Sequence, residues 1–102
     1  MTMAMPGEIL SVAIYEPLPG KEQESLTTMR ALLAALSANG YSRDMLYRDK
    51  QSPSQYVLLR YWKSAEARRT AQEDPEVQRS WAKLAHEIKI VKVYEQLDDV
   101  DV

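Results

Sequence analysis

Arg60 stands inside residues 55–62 (QYVLLRYW), a run that is otherwise almost wholly apolar or aromatic, and its charge there demands a partner. A guanidinium on a half-buried strand is tolerated only when paired, so either a carboxylate such as Glu16 or Glu95 neutralises it or an anionic ligand does. Two residues on, Trp62 shares its strand face. Trp62 and Trp81 could wall a cavity for a flat aromatic ligand, or the two indoles could simply fill the core. Tyr47 adds a phenolic donor to that set. His86 is the one histidine, and only its side chain has an unperturbed pKa near neutrality. It could act as a general base, or it could be a solvated cap where a helix gives way to a strand. Arg60 and His86 are therefore the candidate catalytic residues, and Trp62, Trp81, Arg60 and Tyr47 the candidate ligand-binding set.

Other chemistries are excluded by composition. With no cysteine and one histidine, disulfides, thiolate metal sites, Cys nucleophiles and iron–sulfur clusters cannot be built. Asp98, Asp99 and Asp101 could attract a divalent cation only weakly, with no further hard ligand beside them, and no metal is assigned. Thirteen Lys and Arg against fifteen Asp and Glu give a net charge of -2. That balance argues against nucleic acid and against a polybasic membrane anchor. Lys63, Arg68 and Arg69 form a small basic cluster, but Glu66, Glu73 and Asp74 lie among them, as on a solvated helix face. The longest apolar run, residues 31–36, is far short of a membrane span, and residues 1–6 have neither a charged nor an apolar leader segment. A soluble cytoplasmic protein is expected.

The elements that must position these residues are read from periodicity. Residues 8–16 (EILSVAIYE) read as a strand stopped by Pro17-Leu18-Pro19-Gly20. Over residues 21–38, Leu26, Met29, Leu33 and Leu36 recur at helical spacing, Glu22 and Glu24 suit the first turn, and Asn39-Gly40 supplies a left-handed stop. Residues 41–49 and 55–62 read as a hairpin joined by a turn-rich loop. Ser64 caps a short helix (AEARRTAQ), and Asp74-Pro75-Glu76 restarts another with cap, N1 proline and first-turn carboxylate in order. Residues 86–97 are a last β-rich run. The 102 residues are expected to form a single domain with its core over about 8–97 and flexible ends at 1–7 and 98–102.

A β-α-β-β-α-β order with right-handed crossovers gives an α+β, ferredoxin-like antiparallel sheet, first and third strands central, helices on one face. The other face is the difficulty. In the third strand Val57, Leu59 and Tyr61 oppose Tyr56, Leu58, Arg60 and Trp62, and in the first strand Leu10, Val12 and Ile14 oppose Ile9, Ala13 and Tyr15. Two helices cover one face, so a second copy of the chain is the economical cover for the other. A homodimer with sheets packed face to face is expected.

On Tyr61-Trp62-Lys63-Ser64-Ala65-Glu66-Ala67 followed by Asp74-Pro75-Glu76-Val77, in a βαββαβ chain of this length, the sequence resembles the antibiotic biosynthesis monooxygenase domain over about residues 8–97. The resemblance implies a dimeric α+β barrel, and a family that includes cofactor-free oxygenases of aromatic polyketides, haem-degrading monooxygenases and members with isomerase or unknown roles. It places the family's strand-end tryptophan at Trp62. The asparagine that polyketide oxygenases carry four residues earlier is Leu58 here. The histidine many members carry nine residues after the tryptophan is Ala71, and the haem-ligating histidine of the degraders falls on Trp81. The function implied by the resemblance is that of a cofactor-free monooxygenase of a small aromatic or phenolic substrate, lacking the family's histidine and asparagine. The alternatives are a non-catalytic dimeric module that binds a small ligand or serves structure, and a haem-related oxygenase.

Overall fold

A computed structural model describes residues 4–102. Its elements are β1 (Ile9–Pro17), α1 (Glu22–Ala38), β2 (Ser42–Arg48), β3 (Tyr56–Trp62), α2 (Ala65–Glu73), α3 (Pro75–Leu84) and β4 (Ile88–Leu97). The strands form one antiparallel sheet in the order β2-β3-β1-β4, so the two most apolar strands are central and the two charged ones lie at the edges. This is the ferredoxin-like α+β architecture read from the sequence. The expected flexible N-terminal end lies partly outside the described residues, and within them residues 5–8 form a turn in which the Glu8 amide donates to the Met5 carbonyl at 2.9 Å.

Local chemistry sets the boundaries. Gly40 takes φ +68, and its amide and that of Tyr41 close α1 onto the carbonyls of Ser37 and Leu36. Ser64 Oγ accepts from the Ala67 amide at 3.0 Å to start α2. Asp74 ends α2 and caps α3 through the Glu76 amide at 2.9 Å, with Pro75 preset for the first turn. β4 begins two residues later than the β-rich run suggested. Ala85, His86 and Glu87 spend their amides on α3 carbonyls and finish the helix before the strand can pair.

The core lies between α1, α3 and one sheet face, and holds Tyr15, Met29, Leu32, Leu36, Tyr56, Leu58, Trp62, Ala71, Val77 and Leu84. α1 turns Met29, Leu32 and Leu36 inward at full burial, while Leu26 and Leu33, expected at the centre of its stripe, flank it half-buried. The sheet register puts Ile9, Ser11, Ala13 and Tyr15 on this face opposite Trp62, Arg60, Leu58 and Tyr56. Leu10, Val12, Ile14, Val57 and Leu59 point the other way, and no helix among the described residues covers them. Tyr61 on that side is capped by the Arg43 guanidinium, 4.1 Å from its ring centre, and Arg43 pairs in turn with Glu8 at 3.0 Å.

Candidate functional site

The alternation of β3 aims Arg60 at the helices, and the hairpin register sets it directly across from Asp44 on β2. Both carboxylate oxygens of Asp44 accept from Arg60 Nε at 3.2 Å. The two side chains are 11% and 3% exposed, so this is a buried pair. Glu16 and Glu95, the partners expected from the sequence, are corrected to Asp44. Glu16 accepts instead from Ser54 at 3.0 Å, and Glu95 lies exposed on β4. Burial pushes the Asp44 carboxyl above its ordinary range against the opposing pull of Arg60 and Ser42, and burial likewise lowers Arg60 while Asp44 opposes it. Arginine remains charged under any such shift.

Beside the pair lies a cavity of about 390 Å³ between the sheet and the helices α1 and α3, lined mostly by apolar residues. Met29, Leu32, Leu58, Leu84, Ile88 and Ile90 make the apolar walls, and Tyr15, Arg60 and the indole of Trp81 are the lining residues that carry polar groups. Tyr15 lies stacked on Tyr56, ring centres 5.4 Å apart, at 1% exposure. Its hydroxyl and Arg60 Nη2 are buried without a hydrogen-bond partner among the described residues. Burial, with the neighbouring Tyr56 adding to it, pushes the Tyr15 phenol up to about 12, which keeps it a neutral donor. A buried donor left unpaired costs about 1–3 kcal/mol, so these two groups are a local cost that the packing around them offsets.

A second, smaller recess of about 220 Å³ shares Ala13, Leu58, Arg60 and Trp81 with the first and reaches Trp62 and, on α2, Arg68 and Gln72. The half-buried Trp81 thus lines both spaces. Trp62 is 4% exposed, its indole N–H donates to Ser11 Oγ at 3.2 Å, and Ser11 donates to the Glu95 carbonyl at 2.6 Å. The Arg60 guanidinium rests 5.3 Å from the Trp62 ring centre, a cation–π contact that leans it toward that end of β3. Trp62 is core on most of its surface and recess wall on the remainder.

The structure brings Arg60, Trp62 and Trp81 together and leaves the other two candidates apart. Tyr47 lies on the opposite face of the sheet, 54% exposed, with its hydroxyl 3.6 Å from Met45 Sδ. It follows the parity of Met45 rather than that of Asp44. His86 sits exposed in the turn after α3, its amide on the Lys83 carbonyl. Sequence reasoning missed Asp44 and the role of Tyr15. Both were within reach: residues 44 and 60 are symmetric about the hairpin turn, and Tyr15 has the parity of Ala13. The axial histidine of the haem degraders has no counterpart in this cavity, because Trp81 stands where the resemblance puts it and an indole has no lone pair to give. Among the described residues no group of three or more metal-binding side chains occurs, and no helix is long and apolar enough to cross a membrane.

Residues 9–83 match the family described as antibiotic biosynthesis monooxygenase. No curated protein matches the chain. Among solved structures, SnoaB from Streptomyces nogalater, a cofactor-independent oxygenase, superposes with a TM-score of 0.76 at 17% identity, covering 92% of this chain and 97% of its own. A protein from Chloroflexus aurantiacus J-10-fl, named for the same family, gives 0.75 at 13% identity with coverage of 93% and 96%. Rv0793 from Mycobacterium tuberculosis gives 0.73 at 16% identity with coverage of 92% and 99%. At these identities the likeness establishes a shared fold.

Proposed function

The chain belongs to the antibiotic biosynthesis monooxygenase family, and on that premise we propose that it is a cofactor-independent monooxygenase of small aromatic or phenolic substrates, working as a cytoplasmic homodimer. The observation that carries this reading is the largely apolar cavity between the sheet and the helices, with Arg60 and Tyr15 among its lining residues. An electron-rich phenol reacts with oxygen far more readily once ionised, so a site that favours the phenolate and excludes water lowers the barrier without a bound redox group. Arg60 favours that ionised oxygen. The proton passes to solvent.

For a phenol with a free para position the stoichiometry closes without another reductant. The para C–H and the O–H are both lost, one oxygen atom enters as the quinone carbonyl, and the other leaves with the two hydrogens as water. 1-Naphthol with ¹⁸O₂ and metal-depleted protein tests this. The expected product is 1,4-naphthoquinone carrying one labelled oxygen, formed faster than without protein and suppressed by Ile90→Trp, which places bulk on an exposed rim position of the cavity. Saturable binding of 1-naphthol with no accelerated oxidation would replace this reading with the non-catalytic binding module, which the missing family asparagine and histidine at Leu58 and Ala71 would then explain.

A further inference from the structure

Among the described residues the fold draws four cations partly or wholly out of solvent, and three of them are neutralised: Lys21 by Glu24, Arg43 by Glu8 and Arg60 by Asp44. The fourth is Arg68 on α2. It is half-buried and has neither a hydrogen bond nor an ion pair among the described residues. A guanidinium that gives up water without gaining a counter-charge in its own chain is poised for one from outside.

Helical spacing turns Ala65, Arg68, Arg69 and Gln72 onto one face of α2. With Ile9 from β1 and Gln96 from the end of β4, that face lines a third recess, of about 370 Å³. It shares no lining residue with the cavity between the sheet and helices α1 and α3. The carboxylates that the sequence interleaves with these arginines do not reach it. Glu66 and Glu73 fall outside the lining, and Asp74 is engaged by the α3 cap and the Tyr41 hydroxyl. Glu95 lines the neighbouring recess together with Arg68, yet no ion pair joins the two.

We infer that this recess binds a phosphoryl group, free or as an ester, through the Arg68 and Arg69 guanidiniums, with Gln72 and Gln96 as neutral donors. Two guanidiniums match the charge of a dianion and present forked donors to its oxygens, and the carboxamides can turn their amino groups toward the oxygens that remain. The volume is that of a small-molecule site, so Ile9 and Ala65 offer apolar contact to the organic part of an ester.

Calorimetric titration of the full chain near pH 8, where a phosphoryl group carries nearly two charges, tests this with inorganic phosphate, phenyl phosphate and acetate at one ionic strength. Saturable binding of both phosphates, about tenfold tighter than acetate, is expected. Arg68→Gln should weaken it about tenfold and the more exposed Arg69→Gln about threefold. Glu95→Gln, which removes a carboxylate beside Arg68, should tighten it. Arg30→Gln, at an exposed position on α1, should change nothing. Phosphate should raise the melting temperature of the native chain and not that of Arg68→Gln, and the variant itself should melt no lower than the native chain because Arg68 has no partner to lose. Tighter binding of phenyl phosphate identifies an ester as the source and equal binding the free ion, and either result supports the site. No saturation by either phosphate at about 10 mM, affinity equal to that of acetate, binding unchanged in Arg68→Gln, or an equal loss in Arg30→Gln would overturn the inference.

Discussion

Removing one member of the Arg60–Asp44 pair and removing both have different consequences for the fold. Arg60→Gln alone leaves a carboxylate that is 3% exposed with its counter-ion gone. Breaking a buried pair in this way costs about 3–5 kcal/mol, a large part of the stability of a small domain. The double variant Arg60→Gln/Asp44→Asn keeps the shapes and removes both desolvation penalties, and is expected to recover most of that loss. Urea unfolding of the native chain, Arg60→Gln, Asp44→Asn and the double variant decides it, since additive losses would show that the charges do not act as a pair. How much of the site was legible is set by the same residues. Arg60 was conspicuous because a charge in an apolar run is rare. Asp44 was not, because a carboxylate on a strand already carrying Arg43, Arg48 and Asp49 looks like edge decoration until the hairpin register is known. Tyr15 was hidden for the opposite reason, as an aromatic on a strand needs no explanation and only its unpaired hydroxyl singles it out.

Among the elements, the α2–α3 junction depends on one side chain. Asp74 caps α3, and its Oδ2 accepts from the Tyr41 hydroxyl at 2.8 Å, tying the helices to the start of β2. That hydrogen bond first, and the α3 amides after it, hold its carboxyl below the ordinary value, so the folded state favours the ionised form. The contribution is therefore present above the unfolded value of about 3.9 and is lost as pH falls through the lower folded value. Unfolding midpoints recorded between about pH 2 and 6 should show this acid loss in the native chain. In Asp74→Asn, which keeps a capping oxygen but cannot ionise, the curve should be flatter, and an unchanged slope would assign the acid sensitivity elsewhere. Capping signals of this kind made the helices readable, because a cap is chemistry within a few residues. Strand order was readable for a related reason, since the charged strands had to lie at the edges. The start of β4 was not, because residues 85–87 are claimed by hydrogen bonds from the preceding helix that no local pattern announces.

For the whole molecule the sheet poses an imbalance between its two faces. Leu10, Val12, Ile14, Val57 and Leu59 remain only half-buried in one chain, and beside them Tyr47 is 54% and Tyr94 43% exposed. A contiguous apolar and aromatic face of this kind exceeds what isolated surface hydrophobes account for, and the proposed homodimer would bury on the order of 2,000 Å² in total across it. Light scattering at micromolar concentration should give about twice the chain mass of 11.7 kDa. Leu59→Lys, with its charge in the middle of that face, should shift the mass toward one chain and lower the melting temperature. The melting temperature of the native protein should also rise with concentration, as mass action requires of a linked dimer, and that of Leu59→Lys should not. The cavity opens on the other side of the same strands, with every lining residue supplied by one chain. Since Leu59 alternates with Leu58, which walls the cavity, the proposed dimer contact on one side of β3 would brace the position of the wall on the other. Weaker 1-naphthol binding in Leu59→Lys than in the native protein is the expected result of that coupling. Equal affinity in a verified monomer would show that each cavity is complete without its neighbour, and a native mass of 11.7 kDa at all concentrations would leave that face to water.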